Sequence, residues 1–325
     1  MPKQKSVIAI TGSSGLIGSH LVPVLANEGF EIRVLRRRLQ NDSPGFTQIH
    51  GDIRSLPALC ALMAGCSSVI HLAAIAHTSL RSKAELEEAE QVNVGGTQNV
   101  LSAAEVCGLA RVLLVSSAHV YALQDGMSVT ESSPTAANSV YARTKLRVEQ
   151  AGLDAANKGR LTVVIVRPCL TYGPGVRFNL ELLMRAIRSR YYFHASGRSP
   201  IRSFLSVGNA ARAIAHLINV GRNGEIYNLA DESPMPLVQF VDSLADLMQV
   251  PRPVKVPRFL LQGAVACLAP LDRLGYSPLN REALRRLWVS FSLDVNALAA
   301  SGFRWADDGL VTRQRMVEAF LRSRV

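Results

Sequence analysis

Ser6-Val7-Ile8-Ala9-Ile10-Thr11, running straight into Gly12-Ser13-Ser14-Gly15-Leu16-Ile17-Gly18, decides the fold. The first six residues form a short β-branched apolar run, which suits a strand buried on both faces of a parallel sheet. Ser19 to Glu28 has helical composition and stops at Gly29, and Glu31 to Leu35 reads as a second strand. Strand, glycine loop and helix in that order give a glycine motif its meaning. Glycine permits the tight turn, lets backbone approach a pyrophosphate and lets helix pack closely on strand. The helix N-terminus then offers free N–H groups and partial positive charge to phosphates. Gly12, Ser14, Gly15, Leu16, Ile17 and Gly18 are therefore expected to hold a dinucleotide. Their spacing is G-x-x-G-x-x-G rather than the general G-x-G-x-x-G.

Outward from this unit, strand-like and helix-like segments alternate as far as residue 167. Strands are expected at 6–11, 31–35, 46–50, 68–72, 111–115 and 161–167, with helices that include about 84–107 and 139–157. The alternation predicts an α/β fold, a Rossmann-type doubly wound parallel sheet. After Pro168, Gly, Pro, Arg and aromatic residues become frequent, and helices are expected near 178–190, 236–248, 257–270 and 280–288. These would build a smaller, mixed, mainly helical lobe.

Tyr141 and Lys145 stand at i and i+4 in the second of the two long helices, so both side chains share one face. An ammonium beside a phenol favours phenolate, and a tyrosine tuned that way can trade a proton with a substrate oxygen. Alone the pair is common on solvated helices; the dinucleotide loop gives it something to work against.

Six further motifs follow in order: Gly51-Asp52-Ile53, His71-Leu72-Ala73-Ala74, Asn93-Val94-Gly95-Gly96-Thr97, Ser116-Ser117-Ala118-His119-Val120-Tyr121, Tyr141 with Lys145, and Arg167-Pro168 with Tyr172-Gly173-Pro174-Gly175. With Thr11-Gly12-Ser13-Ser14-Gly15-Leu16-Ile17-Gly18, the chain resembles, over nearly its whole length, the extended short-chain dehydrogenase/reductase family of nucleotide-sugar epimerases, dehydratases and reductases. The resemblance implies that Ser117, Tyr141 and Lys145 are the catalytic set. It also implies that Asp52 and Ile53 meet adenine, that Leu72, Ala73 and Ala74 line the cofactor, and that Asn93 and Pro168 complete its site. In the family, segments like 204–218 and 225–229 return to the cofactor lobe. The expected division is 1–170 plus about 204–230 for the cofactor domain, and about 171–203 and 231–325 for the substrate lobe. In the family the two long helices before the fifth and sixth strands pair across a dimer interface, so the resemblance implies a homodimer.

The end of the second strand bears on cofactor choice. A carboxylate there bonds the ribose hydroxyls, whereas arginine suits a 2′-phosphate. The strand ends Val34-Leu35-Arg36-Arg37-Arg38, with Arg36 where epimerases of the family hold aspartate; Asp42 lies too far along to replace it. NADP(H) is expected, with NAD(H) the alternative.

The family's 4,6-dehydratases carry Asp-Glu after the catalytic hydroxyl. Ala118-His119 stands here, which disfavours dehydration and leaves His119 as a pocket or surface residue. Arg202-Ser203 replaces the epimerases' usual Arg-Asp, and Gly173 to Asn179 together with His77 resemble the bacterial UDP-4-keto-6-deoxy-N-acetylhexosamine 4-reductases. The expected activity is NADPH-dependent 4-keto reduction of a UDP-keto-hexosamine with tyrosine as general acid. An NAD-dependent 4-epimerase is the alternative, a hydrophobic-carbonyl reductase is a further enzyme option, and a non-catalytic cofactor-binding regulator is the alternative of another class. His77, Ser117, Asn179, Arg202 and Arg286 (or its neighbour Arg285) are the expected substrate contacts.

Composition bounds the rest. Over 325 residues, 48% are hydrophobic and 19% charged, as in an ordered globular enzyme. The five cysteines are scattered without C-x-x-C spacing, which points to reduced thiols and a cytoplasmic setting, and no metal site is read. The net charge is +11 at a pI near 9.9, but the basic residues form no long run, which favours a small anionic nucleotide-sugar partner over nucleic acid. Phe259 to Leu271 is too short to span a bilayer, so no integral membrane segment is expected.

Overall fold

The computed structural model describes residues 6–39, 45–76, 82–122, 125–126, 128–261 and 289–323. Seven parallel strands make the central sheet: β1 Val7–Thr11, β2 Glu31–Arg36, β3 Thr47–His50, β4 Ser68–His71, β5 Arg111–Val115, β6 Thr162–Pro168 and β7 Ile226–Leu229. Their spatial order is β7-β6-β5-β4-β1-β2-β3. The six strands read from the sequence appear where expected, to within a residue at each end. β1, β4, β5 and β6 were legible because a strand buried on both faces is apolar at nearly every position rather than at alternate ones.

Alternation then sorts the strand side chains between two layers. Ile8, Ile10, Ile32, Val34 and Ile70 pack under α1 (Leu16–Asn27) and α7 (Val207–Val220). Ala9, Leu35, Val69, Val112 and Leu114 pack under α2 (Leu56–Met63), α4 (Gly96–Val106) and α5 (Val140–Asn157). The long helix expected near 84–107 is α3 (Lys83–Glu90), a π-type turn over Gln91–Gly95, and then α4. The π turn puts Asn93 and Val94 inward and is a feature that apolar periodicity does not reveal.

The strand order reverses between β1 and β4, whose register pairs Thr11 with His71. Beyond their carboxyl ends lies the crevice where open α/β sheets bind ligands. A second core forms around α6 (Asn179–Arg188), α8 (Leu237–Leu247) and the helix Gly309–Arg322. Phe204 stacks on Phe240 with ring centroids 4.0 Å apart, and Tyr172 meets Phe240 edge-on at 5.5 Å. The expected helices at 257–270 and 280–288 lie almost wholly outside the described residues.

Candidate active site at the carboxyl edge of the sheet

The glycine loop closes as the sequence requires. Gly12 has φ 76, and a Cβ there would stand 2.5 Å from Ala73 N. A Cβ on Gly18 would stand 2.4 Å from Gly12 O. The first position serves the left-handed turn and the second the close packing of α1 on the loop. Helix α1 starts at Leu16 with no side-chain cap, which leaves its first N–H groups to a ligand. Ser14 and Gly15 are exposed beside it, and Leu16 and Ile17 are half-buried. The buried Ser13 Oγ has no protein partner, nor has the Nε of Arg36. Both residues line a cavity of about 500 Å³ with Ser14, Ser19, Gly45 and Phe46, and the Arg36 guanidinium lies 5.8 Å from the Phe46 ring centre. Orphaned donors beside a glycine cradle fit a dinucleotide.

Around the cradle, several residues are already committed. The Arg54 side chain donates to both Asp52 oxygens, at 2.9 and 3.0 Å, and holds that carboxyl below its usual range. Ile53 packs on Gly96, where a Cβ would lie 2.5 Å from Ile53 Cδ1. Leu72, Ala73 and Ala74 follow β4 half-buried, and Pro168 closes β6 opposite Leu229. Asn93 Oδ1 accepts from Ile75 N at 2.7 Å, while its Nδ2 donates to Ile75 O and to Thr144 Oγ1. Thr144 Oγ1 in turn donates to Tyr141 O. Asn93 thus ties the loop after β4 to the turn of α5 that carries Tyr141.

His71 underlies the same junction. Thr97 Oγ1 donates its proton to Asn93 O at 2.6 Å, so it accepts from His71 Nε2 at 3.1 Å. Nδ1 is then the acceptor for Thr11 Oγ1 at 2.6 Å, which fixes the neutral tautomer from the network. Burial, with Lys145 nearby, pushes this imidazole down to about 3.

Across the crevice, Ser139 caps α5 by accepting from Ala142 N at 3.1 Å, which sets Tyr141 in the first turn. Ser117 follows β5, with its hydroxyl 3.1 Å from His119 Nδ1. Lys145 is buried, and its Nζ donates to Val115 O at 2.7 Å and lies 5.9 Å from the Tyr141 ring centre. The hydrogen bond of the ammonium thus goes to the Val115 carbonyl rather than to the phenol oxygen. Burial pushes the Tyr141 phenol up to about 12, tempered by hydrogen bonding to Ser117. Burial also pushes Lys145 down to about 8, against the pull of Glu149. In this state the phenol is a proton donor, and the depressed phenol expected from the i, i+4 pair is not what the geometry produces. Water exclusion outweighs a charge that points elsewhere.

The frame under Ser117 was not visible in the motifs. Glu149, four residues past Lys145 on α5, accepts from Arg167 Nε at 2.8 Å and from its Nη2 at 2.6 Å, and also from Ser116 Oγ. The Arg167 guanidinium lies 4.7 Å from the Tyr121 ring centre. A buried acid paired bidentately fixes the end of β5. The i, i+4 spacing of Lys145 and Glu149 was the available signal.

On the substrate side, Asn179 opens α6 exposed, after Phe178 at φ 58. Arg202 is half-buried in the short pairing of Ile201–Arg202 with Met235–Pro236. Ser203 is buried, and its Oγ accepts from Leu293 N at 2.9 Å. Serine there anchors a neighbouring segment and so carries no information about the reaction. His77, Arg285, Arg286 and Asp42 lie outside the described residues.

The NAD dependent epimerase/dehydratase family matches over residues 8–230, from β1 through β7. The chain belongs to that family. Within it, the chain is 32% identical over 246 residues to a 4-hydroxy-2-methyl-3-oxo-4-farnesyl-3,4-dihydroquinoline-1-oxide ketoreductase of Stigmatella aurantiaca, covering 73% of this chain and 72% of that one. It is 30% identical to the N-acetyl-alpha-D-glucosaminyl-diphospho-ditrans,octacis-undecaprenol 4-epimerase of Escherichia coli O157:H7, over 72% of this chain and 70% of that one. Among solved structures, MoeE5 in complex with UDP-glucose and NAD superposes with a TM-score of 0.77 at 26% identity, covering 98% of this chain and all of that one. The chain is thus an enzyme of the extended short-chain dehydrogenase/reductase type. Among the described residues, no helix is long and apolar enough to cross a membrane.

Proposed function

We propose that this epimerase/dehydratase-family enzyme reduces the C4 ketone of a nucleotide-linked sugar, best a UDP-keto-hexosamine, at the expense of NADPH. Arg36 carries the reading: a guanidinium at the end of β2, with an unpartnered buried Nε, lines the cavity beside Ser13 and Ser14. A fork of that kind suits a ribose 2′-phosphate, where an aspartate would repel it. NADPH is spent reductively, and the direction agrees with a Tyr141 phenol that is almost wholly protonated at neutral pH. The nicotinamide supplies the hydride when bound. The chain supplies the rest. The glycine loop and α1 would hold the pyrophosphate, and Ser117 would hydrogen-bond the ketone oxygen. Tyr141 would give that oxygen its proton, and Lys145 would hold the nicotinamide ribose. Asn179 and Arg202 would meet the nucleotide phosphates.

A second reading, an NAD-dependent 4-epimerase, draws on the E. coli relative and on the NAD bound in MoeE5. The two part on cofactor economy. A reductase consumes NADPH in proportion to product, whereas an epimerase recycles a tightly held NAD. Mixing the protein with UDP-4-keto-6-deoxy-N-acetylhexosamine and NADPH should consume one NADPH per sugar reduced, and NADH should serve poorly. Purification with bound NAD, and no response to NADPH, would overturn the reading.

A further inference from the structure

His119 has no role in the reaction as read so far, yet its imidazole rests on the Ser117 hydroxyl. Nδ1 lies 3.1 Å from Ser117 Oγ, and the ring stands edge-on to Tyr141 with centroids 6.1 Å apart. The His119 main-chain N–H also donates to Ser117 Oγ, at 3.2 Å. A hydroxyl offers one proton and two lone pairs. The main-chain N–H occupies one lone pair of a buried Ser117. The remaining proton and lone pair are left for His119 Nδ1, at 3.1 Å, and for Tyr141, whose phenol the Ser117 hydroxyl holds lower than burial alone would. Two arrangements satisfy that division. Either Tyr141 donates to Ser117 and Ser117 to Nδ1, or Nδ1–H donates to Ser117 and Ser117 to a Tyr141 phenolate. The change from the second to the first, with the phenolate protonated, moves one proton from imidazole to phenol without displacing a heavy atom.

We propose that His119 supplies, through the Ser117 hydroxyl, the proton that Tyr141 gives to the substrate oxygen. The inference rests on the reductive reading above for its direction; oxidation would run the same wire backwards. The balance is simple. Hydride adds to the ketone carbon, and the freed C–O pair takes the Tyr141 proton. The phenolate takes the Ser117 proton, and Ser117 takes the proton on Nδ1. The imidazolium becomes neutral and is recharged from water, so one hydride and one proton are consumed.

The surroundings explain why such a wire is useful. A phenolate left in this pocket is costly, since burial already pushes the phenol far above its ordinary value. Lys145 cannot restore the proton directly, because its Nζ is turned to Val115 O. His119 is half-exposed and within reach of solvent. Its turn packs on α5 and presents Ala118 and Val120 to apolar Leu146, Phe291 and Leu293. Among the described residues, Tyr141 stands edge-on to His119, and Lys145 Nζ lies 5.9 Å from the Tyr141 ring centre.

The test compares the wild type with His119→Ala, His119→Gln and Ser117→Ala. With NADPH and UDP-4-keto-6-deoxy-N-acetylhexosamine, His119→Ala should lose about tenfold to a hundredfold in kcat with little change in KM. Its pH–rate profile should lack the ionisation nearest neutrality, and added imidazole should restore part of the rate. His119→Gln, which keeps the shape without the titration, should be equally slow. Unchanged kcat and pH profile in both variants would overturn the inference while leaving the reductive reading intact. A wild type that reduces no ketone would instead overturn that reading. The wire itself is then judged without substrate, by NMR titration of the His119 ring: a pKa that moves in Ser117→Ala and in Tyr141→Phe supports it, and one that ignores both overturns it.

Discussion

Two buried bases sit one strand apart in this fold and are treated in opposite ways. His71 ends β4 with both ring nitrogens bonded, to Thr11 and Thr97, and is neutral. Lys145 reaches the end of β5, keeps its proton at neutral pH and hydrogen-bonds one carbonyl, with Glu149 as the nearby counter-charge. The first arrangement is closed: every donor finds an acceptor, and the two threonines lock β1, β4 and α4 together under the glycine loop. The second is open. A desolvated ammonium, turned to Val115 O with two more N–H groups to give, lies 5.9 Å from the ring centre of a desolvated phenol. One region is built to hold still and the other to exchange protons.

The strongest way to break the open region while sparing the closed one is Tyr141→Phe. Turnover should fall about a thousandfold, while NADPH affinity and melting temperature stay near wild type, as read by fluorescence titration and calorimetry. A matching loss of cofactor affinity would mean that the two regions are not separable.

Acid attacks the closed region. The folded His71 pKa lies below its unfolded value, so its contribution is complete above about 6.5 and is lost as pH falls toward about 3. Between pH 7 and pH 4.5 the protein should lose about 2.5 kcal/mol through this group. Urea melts at the two pH values should show that slope in the wild type and not in His71→Gln, which should be weaker at pH 7.

Arg36 is the charge that lines the cavity beside the cradle, toward the expected phosphate. Arg36→Asp should lower kcat/KM with NADPH relative to NADH by about tenfold to a hundredfold, the worth of one or two charge-assisted hydrogen bonds. A ratio that does not move would remove the argument for NADPH.

The smallest effect concerns stability. Lys145 has a depressed folded pKa, so holding it charged at pH 7 costs about 3 kcal/mol, a cost that fades as pH rises from about 8 to 10.5. Lys145→Met removes that cost but leaves Val115 O unpaired, at about 1–3 kcal/mol. The variant should therefore be inactive yet no less stable, within about 2 kcal/mol. Its margin over wild type should shrink toward pH 10 in thermal melts.

The same contrast separates what could be read in the sequence from what could not. The closed region is made of backbone demands, such as glycine where φ is positive, apolar runs where strands are buried on both faces, and caps before helices. Those demands fall on residue identity, so Gly12, Gly18, Val7–Thr11 and the helix after Ser139 are legible. The open region depends on where flexible side chains turn. Nothing in Tyr141-Ala142-Arg143-Thr144-Lys145 says that Lys145 bonds Val115 O instead of the phenol, or that Ser203 faces Leu293. The π turn at Asn93 and the Glu149–Arg167 pair depend on tertiary neighbours, and spacing hinted only at the latter.

The most direct test of the account follows the hydride. NADPH carrying deuterium at the transferring C4 position, mixed with UDP-4-keto-6-deoxy-N-acetylhexosamine and enzyme, should place one deuterium on C4 of the product sugar and yield one NADP+ per turnover. Tyr141→Phe should suppress both together. Inversion at C4 of an already reduced UDP-sugar, with no deuterium incorporated and no net change in cofactor, would contradict it.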